Sequence, residues 1–460
     1  MENIGEKCAV FGIYGKNLDV SRLTFFGLYA LQHRGQESSG IASTDGEKIF
    51  CYKNNGLVSQ VFNEEIIKNL KGHIAIGHNR YSTSSGTGRE HAQPIEVSDN
   101  TITLVHNGNI PSVFKLTEIL KNKGVEIKNV SDSKIITELL YTLIKEGKEL
   151  EKAIEEIFPM LVGSFSILIM NKEKVIAIRD SFGIRPLSIA KLNGGYVFAS
   201  ETCAFHPIGA TYIRDVLPGE MVVVDENGLK IKQIMKGNQK LDIFEFVYFS
   251  RPDSILLGQT VYDVRKRFGE QLAREYKIDA DVIIPVPETA IPVAIGYSNI
   301  SSIPFEMGLI KSRYIHRTFI EPEQHIRDQG VKLKLAPLKN VIENKKIIIV
   351  DDSIVRGTTS KQLVKILFEA GAKEVHFLVS SPPVKFPDFY GIDLPVQRQL
   401  ISADKTVEEV RDFLGCTSLS FLSFNGMIEA THINKDKFCT SCFSGEYPID
   451  ISERKNDFKL

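Results

Sequence analysis

Short apolar runs of the kind that form β-strands recur through the first half of the chain. Helical spacing of apolar residues stands out in two segments there, Val113–Lys123 and Ser133–Lys145. The runs that we predict as strands are Cys8–Tyr14, Ile74–Ile76, Thr101–His106, Phe165–Met170, Val175–Arg179, Tyr196–Ala199 and Glu220–Val224. Many strands with few helices are typical of stacked antiparallel sheets, so we predict an α+β domain for this half.

The second half changes to an alternation of strands and helices. Helical spacing marks Asp263–Tyr276 and Thr359–Ala370, and Gly371 suits the position just after a helix. The runs that we predict as strands are Val282–Ile284, Lys345–Val350 and Val375–Ser380. Strand, loop, helix and strand in succession predict a βαβ unit, and hence an α/β domain with a parallel sheet.

A polar stretch separates the two patterns. Residues 232–240 read Lys-Gln-Ile-Met-Lys-Gly-Asn-Gln-Lys, a composition typical of a connection between domains. We therefore predict one domain over residues 8–235 and a second over 236–460, which includes a C-terminal extension.

The 460 residues carry a net charge of −1, so the chain as a whole has no electrostatic attraction to nucleic acid or an anionic membrane. No uninterrupted apolar stretch reaches spanning length, and the first residues lack the apolar core of a signal peptide. We expect a cytoplasmic protein with no nucleic-acid or membrane partner. In that compartment the six cysteines are not expected to form a disulfide framework.

The most specific motif joins the apolar run Ile347–Val350 to the start of a helix. Asp351 and Asp352 follow the strand, and a loop containing Gly357 leads into hydroxyl-bearing residues. Ligands of parallel sheets lie beyond the carboxyl ends of the strands, and backbone amides at a helix start favour phosphate. The carboxylates can accept hydrogen bonds from sugar hydroxyls or face a Mg²⁺ ion on a pyrophosphate. The alternative is a capped helix with solvated aspartates.

The whole string resembles the motif by which type I phosphoribosyltransferases bind phosphoribosyl pyrophosphate (PRPP). The PRPP contacts implied by that resemblance are Asp351, Asp352, Ser353, Arg356, Gly357, Thr358, Thr359 and Ser360. Pro285–Thr289, after another strand, is where a second loop of such a site would lie. The basic segment Lys311–Phe319 is either a solvated face or a mobile loop that closes over pyrophosphate. The resemblance favours the loop, with contacts from Lys311, Arg313, Tyr314 and Arg317.

Four short motifs in the first half are weak singly and specific together. They are Cys8–Ile13, Leu31–Glu37, Gly77–Thr83 and His106–Asn109. Alone, a cysteine in an apolar strand is usually buried core, Asn-Gly is usually a turn, and an arginine after a strand is usually a surface cation. In this order the motifs resemble class II glutamine amidotransferases, the N-terminal-nucleophile group with an αββα sandwich.

The resemblance implies that the Cys8 thiol attacks the side-chain amide of glutamine, with the α-amino group of Cys8 as the base. That chemistry requires Cys8 to be terminal, so we expect residues 1–7 to be a propeptide that is removed. The alternative is that the segment stays and Cys8 is a core residue. Asn107 and Gly108 would donate hydrogen bonds to the tetrahedral oxyanion.

The same resemblance implies which residues bind glutamine. Arg80 would pair with the α-carboxylate, and Asp132 would accept from the α-amino group. Asp132 lies at the start of a predicted helix, so an N-cap role is the alternative, and both roles are compatible. Arg34 and Gly35 match the positions that surround the thiol in that family.

Both halves together resemble the family of glutamine-dependent amidophosphoribosyltransferases over essentially the whole chain. Two further segments carry the resemblance, Asp180–Leu187 and Tyr248–Ser254. It implies conversion of glutamine, PRPP and water to 5-phosphoribosylamine, glutamate and pyrophosphate, the first step of de novo purine synthesis. It also implies Mg²⁺ near Thr289, Asp351 and Asp352, a homo-oligomer (tetramer or dimer), and inhibition by purine nucleotides.

One branch of that family carries a [4Fe–4S] cluster on four cysteines. Two of those positions are Cys439 and Cys442 here, and the other two are Asp242 and Asp388. Such clusters are normally held by thiolates, so we expect no stable cluster. Two thiols with two carboxylates can instead hold Zn²⁺, and a vestigial pair of free thiols is the interpretation that we favour.

Three other functions compete with this one. The first is another class II amidotransferase, but such an enzyme would need a different synthase domain in place of one with the Asp351–Ser360 string. A PRPP-binding regulator without catalysis needs a DNA-binding module, and no candidate for one is present in the sequence. The third is an ammonia-dependent phosphoribosyltransferase with an inactive glutaminase domain, and it competes because Cys8 is the eighth residue as written.

Overall fold

A computed structural model describes residues 8–81, 88–126, 131–312, 334–390, 394 and 396–451. The first-half strands are β1 Ala9–Tyr14, β2 Ser38–Thr44, β3 Ile49–Asn55, β4 Ile74–Arg80, β5 Ile95–Glu96, β6 Thr103–Ser112, β7 Val162–Met170, β8 Val175–Arg179, β9 Ser188–Leu192, β10 Gly195–Ala199, β11 Thr211–Asp215, β12 Glu220–Asp225 and β13 Gly228–Gln233. The α-helices of the first half are α1 Val20–Ala30, α2 Val58–Val61, α3 Glu64–Asn69, α4 Phe114–Asn122, α5 Asp132–Lys145 and α6 Leu150–Ile157.

These strands form two antiparallel sheets that stack face to face. One has seven strands in the order β11-β9-β10-β1-β4-β2-β3, and the other has six in the order β13-β12-β8-β7-β6-β5. Side chains alternate along each strand, so Val10 packs with Leu168 between the sheets while Phe11 faces α1 with Leu28. Helices α4, α5 and α6 cover the other sheet. The predicted α+β sandwich is confirmed.

The second half starts at β14. Its strands are β14 Leu241–Asp242, β15 Ile255–Leu256, β16 Gln259–Thr260, β17 Val282–Pro285, β18 Leu309–Lys311, β19 Leu335–Pro337, β20 Lys346–Asp351, β21 Glu374–Val379, β22 Ser418–Phe421 and β23 Phe438–Cys439. Its helices are α7 Val261–Glu275, α8 Ile291–Ser301, α9 Lys339–Ile342, α10 Thr358–Glu369, α11 Val407–Leu414, α12 Phe424–Thr431 and α13 Ser441–Ser444. Strands β17, β20, β21 and β22 form a parallel sheet in the order β17-β20-β21-β22, as predicted.

Helices cover both faces of this parallel sheet. Ile347 and Ile349 of β20 pack with Leu363 of α10, whereas Ile348 packs with Phe268 of α7 on the opposite face. Burial on both faces explains why β20 is continuously apolar rather than alternating. The predicted βαβ unit is β20-α10-β21, and its loop opens at the carboxyl edge of the sheet.

Several elements were not predicted, because their sequences lack the expected patterns. Strand β2, Ser-Ser-Gly-Ile-Ala-Ser-Thr, is fully buried but has small polar side chains where an apolar run would be expected. Helix α1 contains Gly27, whose Cα lies under the ring of Phe11; an added Cβ would sit 2.2 Å from that ring. Both elements are specified by close packing rather than by local propensity.

The predicted boundary falls in the connection between β13 and β14, where residues 234–240 form neither helix nor strand. The short strand β14 pairs in parallel with β23, so that Asp242 lies beside Cys439. The C-terminal extension therefore returns to the junction between the two halves. Within the described residues, no helix combines the length and apolarity needed to cross a bilayer.

Candidate active sites

Cys8 lies immediately before β1, the central strand of the seven-stranded sheet. The antiparallel register pairs Ala9 with Asn79, which brings half-buried Cys8 next to Arg80 at the end of β4. Arg34 donates from Nε to the Cys8 carbonyl oxygen at 3.2 Å. Two of the residues assigned to glutamine are thus brought to the thiol by strand pairing and by a side-chain bond to the backbone.

Gly35 lies against the backbone of β4. A Cβ at this position would be 2.7 Å from the Asn79 carbonyl carbon and 2.8 Å from the Arg80 backbone nitrogen, so a larger residue would separate the loop from the strand. Arg80 is 6% exposed, and its Nη1 lies 3.2 Å from Glu37 Oε1. Contact of Arg80 with glutamine remains a prediction.

Arg34 is the centre of a buried ionic network. Its Nη1 donates to Glu201 at 2.5 Å, and its two terminal nitrogens donate to Glu245 at 2.9 and 2.7 Å. All three side chains have no exposed surface. Burial lowers the pKa of Arg34, but the two carboxylates outweigh burial and raise that pKa. The side chain of Arg34 therefore acts on the backbone of Cys8, and its predicted direct contact with glutamine remains untested.

Asn107 and Gly108 lie in β6, on the facing sheet. Ser200 Oγ accepts from Val10 N at 2.9 Å and from Asn107 Nδ2 at 3.3 Å, so one hydroxyl joins the strand that follows Cys8 to Asn107. Gly108 has φ +149°, and a Cβ there would be 2.1 Å from Ser164 O. Only glycine fits that position. Ser200 was not predicted, because its role depends on strands about 100 and 190 residues apart.

Asp132 is the first residue of α5, and its position corrects one alternative. Ser131 is the N-cap, with its side chain accepting from Lys134 N, so the N-cap interpretation of Asp132 is wrong. Asp132 Oδ2 instead accepts from Ile110 N at 3.0 Å and lies 3.7 Å from His106 Nδ1. Burial lowers the pKa of His106, which favours the neutral ring. Asp132 is thereby fixed beside the strand that carries Asn107 and Gly108.

A cleft opens at the carboxyl edge of the parallel sheet. The residues that line it are Tyr248, Val286, Pro287, Thr289, Asp351, Asp352, Ser353, Val355, Thr359 and Ser360. Val286, Pro287 and Thr289 belong to the segment Pro285–Thr289 that was predicted as the second loop of this site. The lining residues from Asp351 to Ser360 belong to the predicted string, in which Val355 had been given no contact. Tyr248 had been noted only as part of a segment that carries the resemblance.

Within the cleft, Thr289 Oγ1 donates to Asp352 Oδ2 at 2.5 Å, and Ser353 Oγ donates to Asp352 Oδ1 at 2.6 Å. Thr289 comes from the loop after β17 and Asp352 from the loop after β20, so two neighbouring strands supply the site. Gly357, with φ +74°, occupies the N-cap position of α10. Since glycine has no capping side chain, a phosphate oxygen has room at the first turn.

Other predicted PRPP residues lie at or beyond the rim. Thr358 begins α10, and Arg356 donates to Gln399 Oε1 at 2.6 Å. Lys311 lies 3.9 Å from Glu288. Three further predicted contacts, Arg313, Tyr314 and Arg317, fall outside the described residues.

The predicted quartet of Asp242, Asp388, Cys439 and Cys442 comes together at the junction of the halves. Each member is at most 4% exposed. Ser441 Oγ donates to Asp388 Oδ2 at 3.1 Å, and Cys439 Sγ lies 3.4 Å from Ser441 Oγ. Burial, with the nearby carboxylates, raises the pKa of both thiols. Over the described part of the chain, no group of three or more His, Cys, Asp or Glu is arranged to hold a metal ion.

The two halves match different protein families. Residues 78–207 match the family described as glutamine amidotransferase domain, and residues 253–381 match the phosphoribosyl transferase domain family. An amidophosphoribosyltransferase from Synechococcus elongatus is 46% identical over 99% of this chain and 94% of its own length. The corresponding protein of Bacillus subtilis is 43% identical over 98% of this chain and 96% of its own length.

Solved structures resemble the fold over nearly its whole length. A glutamine PRPP amidotransferase from Bacillus subtilis, in complex with ADP and GMP, superposes with a TM-score of 0.89 at 43% identity, covering 96% of this chain and 98% of that one. A structure described as the allosteric regulatory enzyme of purine biosynthesis gives a TM-score of 0.90 at 43% identity, covering 96% and 97%.

Proposed function

The chain belongs to the amidophosphoribosyltransferase family, and on that premise we propose how its two sites divide the reaction. The enzyme transfers the amide nitrogen of glutamine to PRPP and forms 5-phosphoribosylamine, glutamate and pyrophosphate, the first step of de novo purine synthesis. Glutamine is hydrolysed at Cys8, and the ammonia released passes to C1 of the ribose in the cleft above the parallel sheet.

One observation carries the glutaminase half of the proposal, the strand register that brings Cys8 beside Arg80. The Cys8 thiol attacks the amide carbon, and the Cys8 α-amine, freed by removal of residues 1–7, takes the thiol proton and returns it to the leaving ammonia, which leaves a thioester on Cys8. Water then hydrolyses this thioester, which releases glutamate and restores the thiol. Asn107 Nδ2 and the Gly108 N–H donate hydrogen bonds to the oxyanion of the tetrahedral intermediate. Arg80 holds the α-carboxylate and Asp132 the α-amino group of glutamine.

In the second half, Asp351, Asp352 and Thr289 face the pyrophosphate and ribose, and the first turn of α10 receives the 5-phosphate. The oxygens of Asp351, Asp352 and Thr289 suit Mg²⁺, which usually binds one or two carboxylates and fills its other coordination positions with substrate phosphate and water. Mg²⁺, when bound, would neutralise charge on the departing pyrophosphate.

Four further proposals concern the junction quartet, inhibition, location and assembly. We propose that Asp242, Asp388, Cys439 and Cys442 hold no [4Fe–4S] cluster, because two of the four donors are carboxylates and such clusters are normally held by thiolates. Purine nucleotides inhibit the enzyme, a proposal supported by the ADP and GMP in the Bacillus subtilis relative. The protein is cytoplasmic and forms a homo-oligomer.

Intact mass and paired assays test the function. We expect the purified chain to begin at Cys8, and Cys8→Ala to abolish glutamine-dependent but not ammonia-dependent synthesis of phosphoribosylamine. Ser188→Ala, at a buried serine of β9, is the control that should keep both activities. If residues 1–7 remain and glutamine supports no synthesis, the enzyme is an ammonia-dependent transferase with an inactive glutaminase domain.

A further inference from the structure

The Phe389–Tyr390 turn of the second half contacts the first domain at β6, the strand that carries Asn107 and Gly108. Asn109 Nδ2 donates to the Phe389 carbonyl oxygen at 2.9 Å, and Ser164 Oγ donates to the Tyr390 carbonyl oxygen at 2.6 Å. Arg185 Nε donates to the same Tyr390 oxygen at 3.0 Å. Three side chains of the first domain thus depend on two carbonyl groups of the second.

Two of those side chains flank Gly108. Asn109 follows it directly in β6, and Ser164 is the partner of Asn109 in β7. The Ser164 carbonyl is so close to Gly108 that an added Cβ would lie 2.1 Å away. Ser164 Oγ also lies 3.4 Å from Asn109 N, so it can accept from one strand while donating to the turn. Both bonds therefore fix the backbone that carries the Gly108 N–H.

The turn itself is held by its own contacts within the second half. Asp388 Oδ1 accepts from Tyr390 N at 2.8 Å. The Tyr390 hydroxyl donates to Ile449 O at 2.7 Å and lies 3.1 Å from Ile449 N. Phe389 is 2% exposed and Tyr390 is fully buried. Such a turn can act as a fixed support rather than as a loop that follows the first domain.

We propose that the Phe389–Tyr390 turn is a positioning element of the glutaminase site, acting on Gly108 through Asn109 and Ser164. The proposal rests on the function proposed above, in which Gly108 donates to the oxyanion. Oxyanion stabilisation depends on donors held within about 0.5 Å of the productive geometry, so small displacements of β6 reduce turnover. Glutamine affinity is set by Arg80 and Asp132 and should change little.

Ser164→Ala and Asn109→Ala each remove one bond to the turn and test the proposal in the full chain. We expect each to lower kcat for glutamine hydrolysis by about tenfold, below the 10²–10³-fold loss typical of removing an oxyanion donor itself. KM for glutamine should change less than about threefold, and ammonia-dependent synthesis should be unchanged. Asn109 is only half-buried, so its variant is expected to fold even if Ser164→Ala does not.

Ser188→Ala is the matched control. Ser188 is 1% exposed, and its Oγ donates to Asp215 at 2.8 Å within the first domain, so the control loses a buried serine bond that does not cross to the turn. Glutaminase kcat equal to that of the control overturns the proposal, and so does an equal loss of both activities, since that would indicate a folding defect. A wild-type protein with no glutaminase activity overturns the proposed function instead.

Discussion

Arg34 and Glu245 form a two-point ion pair across the domain junction, with both guanidinium nitrogens bonded to the carboxylate at 2.9 and 2.7 Å. Neither side chain has exposed surface. Because Arg34 also donates to the carbonyl oxygen of Cys8, the Arg34 side chain links the backbone of the nucleophile to the second half.

Glu245→Gln should therefore destabilise the whole protein. Removing one partner of a buried ion pair typically costs about 3 kcal/mol, which lowers the melting temperature of a chain of this size that unfolds as one unit by roughly 3 °C. Glu226→Gln is the control, since the Lys16–Glu226 pair is exposed and should contribute almost nothing. Equal melting temperatures for the two variants would show that the buried Arg34–Glu245 pair does not stabilise the fold.

His78 should make stability depend on pH. Burial, above all, lowers the pKa of His78 to about 3, while its usual value is near 6.5. Between pH 6.5 and pH 3 the unfolded chain therefore binds one more proton than the folded chain. His78 does not change the free energy of unfolding above pH 6.5, and it lowers that free energy as the pH falls. At pH 5 the loss is roughly 2 kcal/mol.

Melting temperatures of His78→Gln measured from pH 5 to pH 8 test this dependence. The variant should show a shallower fall toward acid than the wild type, whatever its stability at pH 8. His206→Gln replaces an exposed histidine and should keep the wild-type slope. Parallel curves for all three proteins would show that His78 is not buried in its neutral form.

Asp352→Asn should separate the two half-reactions. The substitution removes charge from the cleft and weakens the Thr289–Asp352 contact, so ammonia-dependent synthesis should fall by about 100-fold or more. Chelation of Mg²⁺ should have the same effect on the wild type. Basal glutamine hydrolysis without PRPP should persist in both cases.

Asp263→Asn provides the control for Asp352→Asn, because Asp263 is exposed on α7. It should leave synthesis unchanged. If chelation has no effect on synthesis while Asp352→Asn abolishes it, the carboxylate acts on the sugar rather than on a metal ion.

Gly357→Ala should weaken PRPP binding. Its φ of +74° strains any other residue by about 1 kcal/mol, and an added Cβ would be 2.8 Å from Ile401 Cδ1, so the loop must shift at the start of α10. We expect KM for PRPP in the ammonia-dependent assay to rise by about tenfold. Gly415→Ala is the control: Gly415 has nearly the same φ, +73°, with nothing within 4 Å of an added Cβ, and it does not line the cleft, so KM for PRPP should stay unchanged. An unchanged KM for Gly357→Ala would contradict the prediction.

Local sequence was sufficient for the parts of the molecule whose residues are adjacent in the chain. The strand β20, the loop with Asp351 and Asp352, and the start of α10 were predicted to within a residue or two, because period and turn chemistry determine them. The junction quartet was also anticipated, by resemblance rather than by pattern.

What sequence analysis missed are contacts between distant segments. Ser200 acts only because β10 lies next to β1, and Glu245 only because the second half packs against Arg34. Asp132 was given an N-cap alternative because Ser131 and Asp132 both suit that position, and only backbone geometry distinguishes them. Strand register and domain packing are not encoded in local periodicity.

The parallel pairing of β14 with β23 has a consequence for biosynthesis. Asp242 lies beside Cys439, so the two segments leave the ribosome roughly 200 residues apart, which at usual translation rates is roughly 10 to 40 s. During that interval the first domain can fold while its surface around Arg185 and Ile184 lacks its covering. Until Phe389, Tyr390 and Cys439 have been synthesised, the nascent chain therefore exposes apolar surface at Ile184 that can aggregate. Protection of this surface by a chaperone should raise the yield of native protein.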